Sequence, residues 1–544
     1  MVNSTVPALQ KKYSALITAL LCLTGAFLIM MICTRSSFLY PYNNWDDSNS
    51  YFTMGKSWFH GYVPYRDLFD QKGPWLYFVY GLCSLVSPTD FTGVFILEII
   101  IAAICIGLMY RSAVLFLKPC AAMPAAVITA ALIYSSRSFY WGGCSEELLL
   151  PFLLWPLYHF MRILRSSDPD ERFSSGRLVC ITGFCCGMAA ATKFILLGFF
   201  MAYALIVVLE VFSVKGLSVG RKFLNCLKKA GLFLLFVLIP FIPWLIWFAC
   251  RGALDDWYRD YIYTNVFLYS SFGANSKGLD IAGTVKSLLK IFYWLCRQNL
   301  QYMLPAVIGM AASLSGVLGT KTGRKDLLKN AALPFMFLAL FIGIFIGGSE
   351  LPYYSFPLTA FAITGTIALF GAAASFIRRI TAGKRMKDRP ERTAAGGQIL
   401  FIVTALLAVI AGTCLSLSLT MNRYYMSYRK DDVFLSRFSE IIAVDGRPDA
   451  TLFNYNCLDC GLLTAAGLYP GSGCYWFQTQ TLPTDEVLDE QHRYILEGLT
   501  DYVVARASYP DFIYDRYELA DSFDQQMGNN GELSFTYYLF RRKE

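Results

Sequence analysis

Residues 43–74 read NNWDDSNSYFTMGKSWFHGYVPYRDLFDQKGP and lie between two apolar runs, 14–33 and 91–110, each long enough to cross a membrane. Eight ionisable side chains crowd the 27 residues from 46 to 72, with aromatic residues between them. A loop that is only solvated needs neither these aromatic residues nor both signs of charge packed so closely. The stretch therefore predicts a polar functional site beside the first two spans.

The composition of the whole chain supports insertion into a membrane. Of its 544 residues, 56% are hydrophobic and 16% are charged, and the mean hydropathy is +0.45. Soluble domains carry about 25% charged residues, and so large a surplus of apolar side chains cannot all be buried in a water-soluble core. These values exclude an ordinary soluble protein and predict an α-helical polytopic membrane protein.

Eleven apolar runs have the length of a membrane span. They cover residues 14–33, 91–110, 119–136, 148–164, 178–195, 197–214, 231–249, 302–319, 331–348, 356–377 and 398–418. The apolar stretch Pro74–Ser87 is too short to be a span, so we expect a helix that lies at the membrane interface. With this count every strongly basic loop falls on one side, which the positive-inside rule assigns to the cytoplasm. The N-terminus is then cytoplasmic, and residues 43–74 lie outside.

Two further segments need an interpretation. Residues 178–195 and 197–214 follow one another almost without a turn, with Lys193 at the joint. We predict a hairpin, because one long helix would carry the five basic residues at 215–229 to the outer side. Residues 284–301 mix basic with apolar and aromatic side chains, which predicts an amphipathic helix at the outer interface.

The chain is expected to divide into a membrane module, residues 1–418, and a small extracytoplasmic α/β domain, residues 419–544. The second part holds 11 Lys/Arg and 19 Asp/Glu, a net charge of −8, whereas the first has a net charge of +16. Apolar periodicity in the second part predicts helices at 432–444 and 485–498 and strands at 450–457, 502–507 and 534–541. We find no nucleophile motif or phosphate-binding loop in it.

The clustered charges of residues 43–74 fit transfer of a group from a lipid phosphate. The departing phosphate needs cations near the interface, and Lys72 and Arg66 can supply them. A hydroxyl acceptor needs a carboxylate base, which the adjacent pair Asp46 and Asp47 offers, and a neighbouring carboxylate raises the pKa of one member of such a pair. The alternative role for this pair is to cap a helix.

A second acidic pair, Glu146 and Glu147, stands at the start of the span near 148. Two glutamates at a membrane entrance are costly unless they meet a cation, a metal or a substrate, although the helix dipole also favours acids there. Lys193 is a further candidate for phosphate binding, with snorkelling to the interface as the alternative. Other residues predicted to line the same site are His60, Tyr65, Asp67, Glu350, Tyr353 and Tyr354.

The motifs Asp-Asp-Ser at 46–48, Gly-x-x-Pro-Tyr-Arg-Asp at 61–67 and Phe-Asp-Gln-Lys-Gly-Pro at 69–74 resemble the GT-C superfamily of integral membrane glycosyltransferases. The similarity covers about residues 10–420, and it is to the bacterial branch related to protein O-mannosyltransferases and lipid A aminoarabinose transferases. The resemblance implies that Asp47 or Asp46 is the catalytic base, that Lys72 binds the donor phosphate, and that Glu146 or Glu147 completes an acidic site, sometimes with a divalent cation. The Asp-Asp, Lys-Gly-Pro and Glu-Glu motifs differ from the usual Asp-Glu and Lys-Pro-Pro, so the choice within each pair stays open.

The predicted function is transfer of a sugar from a polyprenyl-phosphate donor to an acceptor hydroxyl on the outer face of a bacterial plasma membrane. The expected partners are this donor, membrane lipids and a glycan, lipid or protein acceptor, with no nucleic acid. No cofactor is required by the sequence beyond the divalent cation that the resemblance implies. The alternatives are a transporter or flippase of lipid-linked sugars, which predicts charges inside the spans, and a surface scaffold, which leaves the first loop unexplained.

Overall fold

The computed structural model describes residues 5–166, 168, 170–268, 281–319, 326–347, 351–382, 394–480, 485–527, 531 and 533–544. The α-helices within these residues are α1 (Thr5–Cys33), α2 (Asp46–Phe59), α3 (Pro74–Ser84), α4 (Thr92–Ala113), α5 (Pro119–Tyr134), α6 (Ser145–Arg165), α7 (Gly176–Ala190), α8 (Leu197–Ser213), α9 (Val219–Leu238), α10 (Ile242–Arg251), α11 (Leu254–Trp257), α12 (Ile281–Gln298), α13 (Leu300–Leu314), α14 (Leu327–Phe345), α15 (Ala362–Ala382), α16 (Ala394–Leu419), α17 (Phe434–Asp445), α18 (Leu462–Ala465) and α19 (Asp485–Glu497).

Eight helical segments among the described residues are long and apolar enough to cross a membrane. They are Ala15–Cys33, Thr92–Ala113, Ser145–Arg165, Phe194–Ser213, Val219–Arg251, Leu327–Phe345, Pro352–Ile380 and Gly396–Leu419. The shorter apolar helices α5, α7 and α13 coincide with the other three predicted spans. The expected polytopic helical fold is therefore confirmed.

One span begins earlier than predicted. We expected residues 231–249, but the helix starts at Val219 and continues through a short 3₁₀ segment, Ile239–Phe241, into α10. Apolar residues alternate with the basic ones at 221–229 at helical spacing, so this stretch forms an amphipathic extension of the span rather than a loop.

The predicted hairpin at Lys193 is confirmed. Helix α7 ends at Ala190, and α8 runs back beside it. The carboxylate of Glu210, near the end of α8, accepts hydrogen bonds from the N–H groups of Phe173 at 3.2 Å and Ser174 at 2.6 Å, just before α7 begins. This charge inside an apolar helix therefore satisfies backbone donors at the start of its neighbour.

Helices α2 and α3 pack together and are too short to be spans, as expected for the segment from Pro74. Helix α12 lies in the stretch predicted to be amphipathic and mixes basic with apolar side chains. Helix α2 contacts α18 of the C-terminal part, and residues of α12 lie beside Leu351 and Pro352, which line the cavity described below.

The C-terminal sheet has four strands: β1 (Leu452–Tyr455), β2 (Tyr502–Arg506), β3 (Tyr517–Met527) and β4 (Leu533–Arg542). Their order is β1-β2-β4-β3, with β1 and β2 parallel and the other two pairs antiparallel. The predicted strands and the helices α17 and α19 are present. Strand β3 was missed, because it is an edge strand whose sequence YELADSFDQQM is mostly polar.

The sheet region packs directly on α2. The ammonium group of Lys56 donates to the carbonyl oxygens of Leu463 and Leu468, both at 2.9 Å, and the hydroxyl of Thr53 donates to Asp459 at 2.6 Å. One continuous cluster of buried apolar residues extends from the helical bundle into β1, β2 and β4. The sheet is thus fixed over the first loop, and its position decides what covers the site.

Candidate active site

A cavity of about 360 Å³ lies between the helical bundle and the sheet. Its floor comes from the start of α2, from the loop before α3, from the loop before α6 and from the start of the span at Pro352. Its roof comes from four apolar residues of the C-terminal part. The lining residues are Trp45, Asp46, Asp47, Gln71, Lys72, Tyr140, Trp141, Leu351, Pro352, Tyr353 and Tyr354 on the floor, and Leu458, Met527, Leu533 and Phe535 on the roof.

Asp47 stands in the first turn of α2 and faces this cavity. Its Oδ2 atom accepts a hydrogen bond from the hydroxyl of Tyr353 at 2.7 Å and a longer one from Tyr51 at 3.4 Å. Its Oδ1 atom accepts no hydrogen bond from any residue that the structure describes. One oxygen is therefore fixed by tyrosines, and the other remains available to a ligand in the cavity.

Asp46 lines the same cavity but is held differently. Its Oδ2 atom accepts a hydrogen bond at 2.9 Å from Nη1 of Arg506, the last residue of β2. Its enclosed position raises the pKa of Asp46, and the cationic Arg506 opposes this rise. Neither aspartate caps α2 through its side chain, since the residue before the helix is Trp45.

Lys72 enters the cavity from the loop before α3. Its ammonium group lies 6.0 Å from the centre of the Tyr51 ring, and no acidic side chain of the described residues forms an ion pair with it. The neighbouring carboxyl of Asp70 is buried, which raises its pKa, while Lys72 lowers it. Lys72 is thus a cation that faces the cavity without an ion-pair partner among these residues.

The following Gly73 places Lys72 close to the α7–α8 joint. The N–H of Gly73 donates to the carbonyl of Thr192 at 2.8 Å, and a Cβ atom on Gly73 would lie 2.1 Å from the carbonyl oxygen of Ala191. Only glycine permits this backbone approach. The Lys-Gly-Pro motif therefore brings Lys72 beside the segment that carries Lys193.

Lys193 forms an ion pair with Glu146, and both groups are largely buried. Its ammonium group also lies 4.4 Å from the ring centre of Tyr354 and 5.3 Å from that of Tyr353. Tyr353 also donates to Asp47, so its side chain contacts the aspartate that faces the cavity and lies next to the ion pair of Glu146 and Lys193.

Glu147 points elsewhere. It lies near Glu98 of α4, because both carboxyls accept hydrogen bonds from the N–H of Gly143, at 2.6 Å for Glu98 and 3.3 Å for Glu147. Gly143 has a φ of +74°, which aims its N–H at the two acids. The hydroxyl of Thr34 lies 2.9 Å from Glu98. The second acidic pair is therefore divided between two environments.

Arg66, predicted to bind the donor phosphate, and His60 and Asp67, predicted to line the same site, belong to a different cavity, of about 450 Å³, between the first loop and residues 472–475. Arg66 is exposed there, pairs with Asp67 at 2.9 Å and donates to the carbonyl of Arg251 at 3.2 Å. His60 stacks on Tyr469 at 3.9 Å. Tyr65 is buried beneath this region and donates to the carbonyl of Lys72 at 2.7 Å. Glu350 lies outside the described residues.

The donor set does not fit a divalent cation. Glu146 is engaged by Lys193, Asp46 by Arg506, and Glu147 by Glu98. Across the part of the chain that the structure describes, no group of three or more His, Cys, Asp or Glu could hold a metal ion. Of the charged residues that line the cavity, Asp46 is paired with Arg506, whereas Asp47 and Lys72 form no ion pair with a described residue.

Several residues of the site had no signal in the sequence. Arg506 is an ordinary strand residue, 460 positions from Asp46, and only the fold brings the two together. The roof residues Met527, Leu533 and Phe535 lie on β3 and β4, and β3 was not predicted. Glu98 lies inside the predicted span 91–110, but its proximity to Glu147 follows only from the packing of α4 against α6.

The helical bundle, its short helices at one end and the small sheet over the cavity define an integral membrane protein of many spans. Among solved structures, the chain is similar to ArnT from Cupriavidus metallidurans bound to undecaprenyl phosphate, with a TM-score of 0.58, 13% sequence identity and coverage of 97% of this chain and 98% of the other. The apo structure of ArnT matches over the same shares with a TM-score of 0.56 and 13% identity. No family model and no curated protein matches the sequence. The fold expected from the resemblance to GT-C transferases is therefore confirmed.

Proposed function

We propose that the protein is a membrane glycosyltransferase that moves a sugar from a polyprenyl-phosphate donor to an acceptor hydroxyl. The observation that carries the proposal is the pairing, across one cavity, of a carboxylate with a free oxygen and a lysine without an ion-pair partner among the described residues. A carboxylate can accept the proton of a hydroxyl, and a lysine can hold a phosphate. The two groups that such a transfer needs thus face the same space.

In the proposed reaction, Oδ1 of Asp47 takes the proton of the acceptor hydroxyl. The hydroxyl oxygen attacks the anomeric carbon, the bond from that carbon to the phosphate oxygen breaks, and its electron pair leaves with the polyprenyl phosphate. Lys72 stabilises the charge that develops on this phosphate. A single displacement of this kind inverts the anomeric centre. Tyr353 holds Oδ2 of Asp47, which keeps Oδ1 turned to the acceptor.

Lys193 is proposed as a second cation for the phosphate, less available than Lys72 because it pairs with Glu146. The ArnT structure of similar fold was determined with undecaprenyl phosphate bound, which supports a donor of this class here. Arg66 is left out of the donor site, since it lies in the other cavity and pairs with Asp67.

The proposed orientation places the cavity outside a bacterial plasma membrane and the N-terminus in the cytoplasm. Helix α6 begins at the cavity with Glu146 and ends with Arg162 and Arg165, so these arginines lie at the opposite end of the bundle. The start of α9, with its basic residues at 221–229, lies at that end too, because α8 runs away from the cavity. The positive-inside rule favours the cytoplasm for this end.

The transporter alternative is less well supported. It requires charges that can bind a ligand inside the spans. Two acids inside the spans, Glu98 and Glu210, both accept hydrogen bonds from backbone N–H groups of loops that precede neighbouring helices. Both are thereby committed to structural contacts.

The test is sugar release by purified protein in detergent. The protein is incubated with polyprenyl-phosphate sugars, hexose and pentose, that carry a tritiated sugar, together with a bacterial membrane extract as acceptor. We expect release of polyprenyl phosphate, a loss of about 100-fold in Lys72→Met, and no change in Lys118→Met, which removes an exposed lysine at the opposite end. Release from no donor, or equal activity of Lys72→Met and Lys118→Met, contradicts the proposal.

A further inference from the structure

The ion pair between Arg506 and Asp46 joins the C-terminal sheet to the floor of the cavity. The Nη1 atom of Arg506 lies 2.9 Å from Oδ2 of Asp46, and the two side chains are 20% and 18% exposed. A pair so enclosed is held in one geometry, unlike the exposed pair of Arg66 and Asp67. The sheet therefore supplies a charge to the site as well as a cover.

Arg506 is itself fixed by the strand that forms part of the roof. Its Nη1 atom lies 3.5 Å from the hydroxyl of Tyr537, and its guanidinium lies 5.7 Å from the centre of the Phe535 ring, both on β4. Phe535 lines the cavity. The cation that holds Asp46 and the apolar roof thus belong to one packed unit.

Apart from Lys72, which lines the same cavity without forming an ion pair with Asp46, the other groups around Asp46 are acids or neutral side chains. Asp47 follows it on α2, Asp459, Cys457 and Cys460 come from the loop after β1, Tyr537 comes from β4, and Tyr140 comes from the loop before α6. Oδ1 of Asp46 has no hydrogen-bond partner among the described residues. Arg506 is therefore the cation that forms an ion pair with Asp46.

Without Arg506, burial and the two nearby carboxylates would both favour the protonated form of Asp46. A proton held between Asp46 and the adjacent Asp47 is lost only at higher pH than from a single carboxyl, because the two groups then titrate as a pair. Until it is lost, the pair cannot accept the proton of the acceptor hydroxyl. The charge on Arg506 prevents this coupling.

We propose that Arg506 is a positioning residue, which keeps Asp46 ionised and fixed so that Asp47 alone serves as the base. The role rests on the proposed transferase function. It makes the C-terminal sheet an obligatory part of the catalytic site, and it gives the two adjacent aspartates different tasks. Asp46 anchors the sheet to α2, and Asp47 receives the proton.

The test compares the pH dependence of kcat in wild-type protein, Arg506→Gln and Arg506→Lys. In Arg506→Gln we expect kcat at pH 7 to fall about tenfold and the acid limb of the profile to move up by about one pH unit. Arg506→Lys keeps the charge and should keep the limb in place. Arg493→Met, which removes an exposed arginine on α19, is the matched control and should match wild type.

The double variant Asp46→Asn/Arg506→Gln distinguishes positioning from support of the fold. It removes the carboxyl that would share the proton, so its acid limb should return to the wild-type position. An unchanged limb in Arg506→Gln, with kcat either intact or uniformly lowered at every pH, overturns the positioning role. So does a double variant whose limb stays shifted. If wild-type protein releases no sugar, the transferase function itself fails, whereas an active wild type with an unshifted Arg506→Gln limb refutes the positioning role alone.

Discussion

The two acidic pairs of this protein look alike in sequence and differ in surroundings. Asp46 and Asp47 begin α2, and Glu146 and Glu147 stand in the first turn of α6. In each pair one acid meets a cation, Arg506 for Asp46 and Lys193 for Glu146. The remaining acids differ: Asp47 opens to the cavity, whereas Glu147 is buried against Glu98.

This difference follows from helix geometry. Successive residues of an α-helix point about 100° apart, so adjacent acids contact different neighbours. In α2, Asp46 contacts Arg506 and Asp47 contacts Tyr353, although both line one cavity. An acidic pair at a helix start is therefore better regarded as two residues with two roles than as one site.

The largest expected effect on activity concerns the first acidic pair, whose two members should respond differently to substitution. Asp47→Asn should reduce transfer by about 10²–10⁴-fold, because a general base contributes that much, while the amide oxygen of the variant side chain can still accept from the tyrosines and maintain the local geometry. Asp46→Asn should reduce kcat by less than about tenfold, since its amide oxygen can still accept from Arg506. Sugar release in detergent measures both, with the elution profile of the purified variants as the check on folding.

The opposite ranking would exchange the roles of the two aspartates. If Asp46→Asn were the inactive variant and Asp47→Asn retained most of its activity, the acid paired with Arg506 would be the base. Retained activity in both variants would remove carboxylate catalysis from this cavity altogether.

The sequence alone predicted the parts of this site that depend on local pattern. Apolar runs predicted the eight long and three shorter apolar helices among the described residues, and the charged first loop contains Asp47 and Lys72, which the fold places in one cavity. The sequence could not predict the role of Arg506, because its partner Asp46 is distant in the chain. Nor could it show which of Glu146 and Glu147 pairs with Lys193, because the rotation of a helix relative to its neighbours is set by packing. Arg66 shows the same limit, since its sequence neighbours suggested the Lys72 site and the fold placed it in another cavity.

The next prediction concerns Lys193, the cation that pairs with Glu146 of the second acidic pair. Lys193→Met leaves Glu146 as a buried carboxylate without its partner, which should lower the free energy of unfolding by about 3–5 kcal/mol. Glu146→Gln/Lys193→Met should recover most of this loss, because neither variant group is charged. Thermal unfolding in detergent measures the change, with Lys118→Met as the control. A double variant as unstable as Lys193→Met would show that the ion pair is not what stabilises this joint.

The buried carboxyl of Asp459 allows a test through the pH dependence of stability. Asp459 accepts from Thr53 and from the N–H of Gly461, and burial raises its pKa to about 6, although Lys56 opposes the rise. The folded state thus binds a proton more readily than the unfolded state. Its stabilising contribution is complete below pH 4 and is lost as the pH rises to about 6.

We expect the stability of wild-type protein, relative to Asp459→Asn, to fall by roughly 2 kcal/mol between pH 4 and 6. Thermal unfolding of both proteins across this range isolates the contribution of this one carboxyl, and Asp511→Asn, at an exposed position, should follow wild type. Lys56 does not contribute to the slope, since its pKa, lowered by burial, is about 8 and it stays charged throughout. Parallel curves for wild type and Asp459→Asn would contradict the assignment.

The smallest effect is expected at Glu147. Glu147 and Glu98 both accept a hydrogen bond from the N–H of Gly143, and no cation of the described residues forms an ion pair with either. Two carboxyls this close are most stable when they share a single negative charge. Glu147→Gln replaces a carboxyl by an amide that can still donate to Glu98, and the free energy of unfolding should change by less than about 1 kcal/mol. Its transfer activity should stay within about threefold of wild type, because the acid faces away from the cavity. A loss of unfolding free energy as large as that of Lys193→Met would mean that both acids of the second pair are ionised and that a cation balances each. Glu147 and Glu146 would then have the same kind of surroundings.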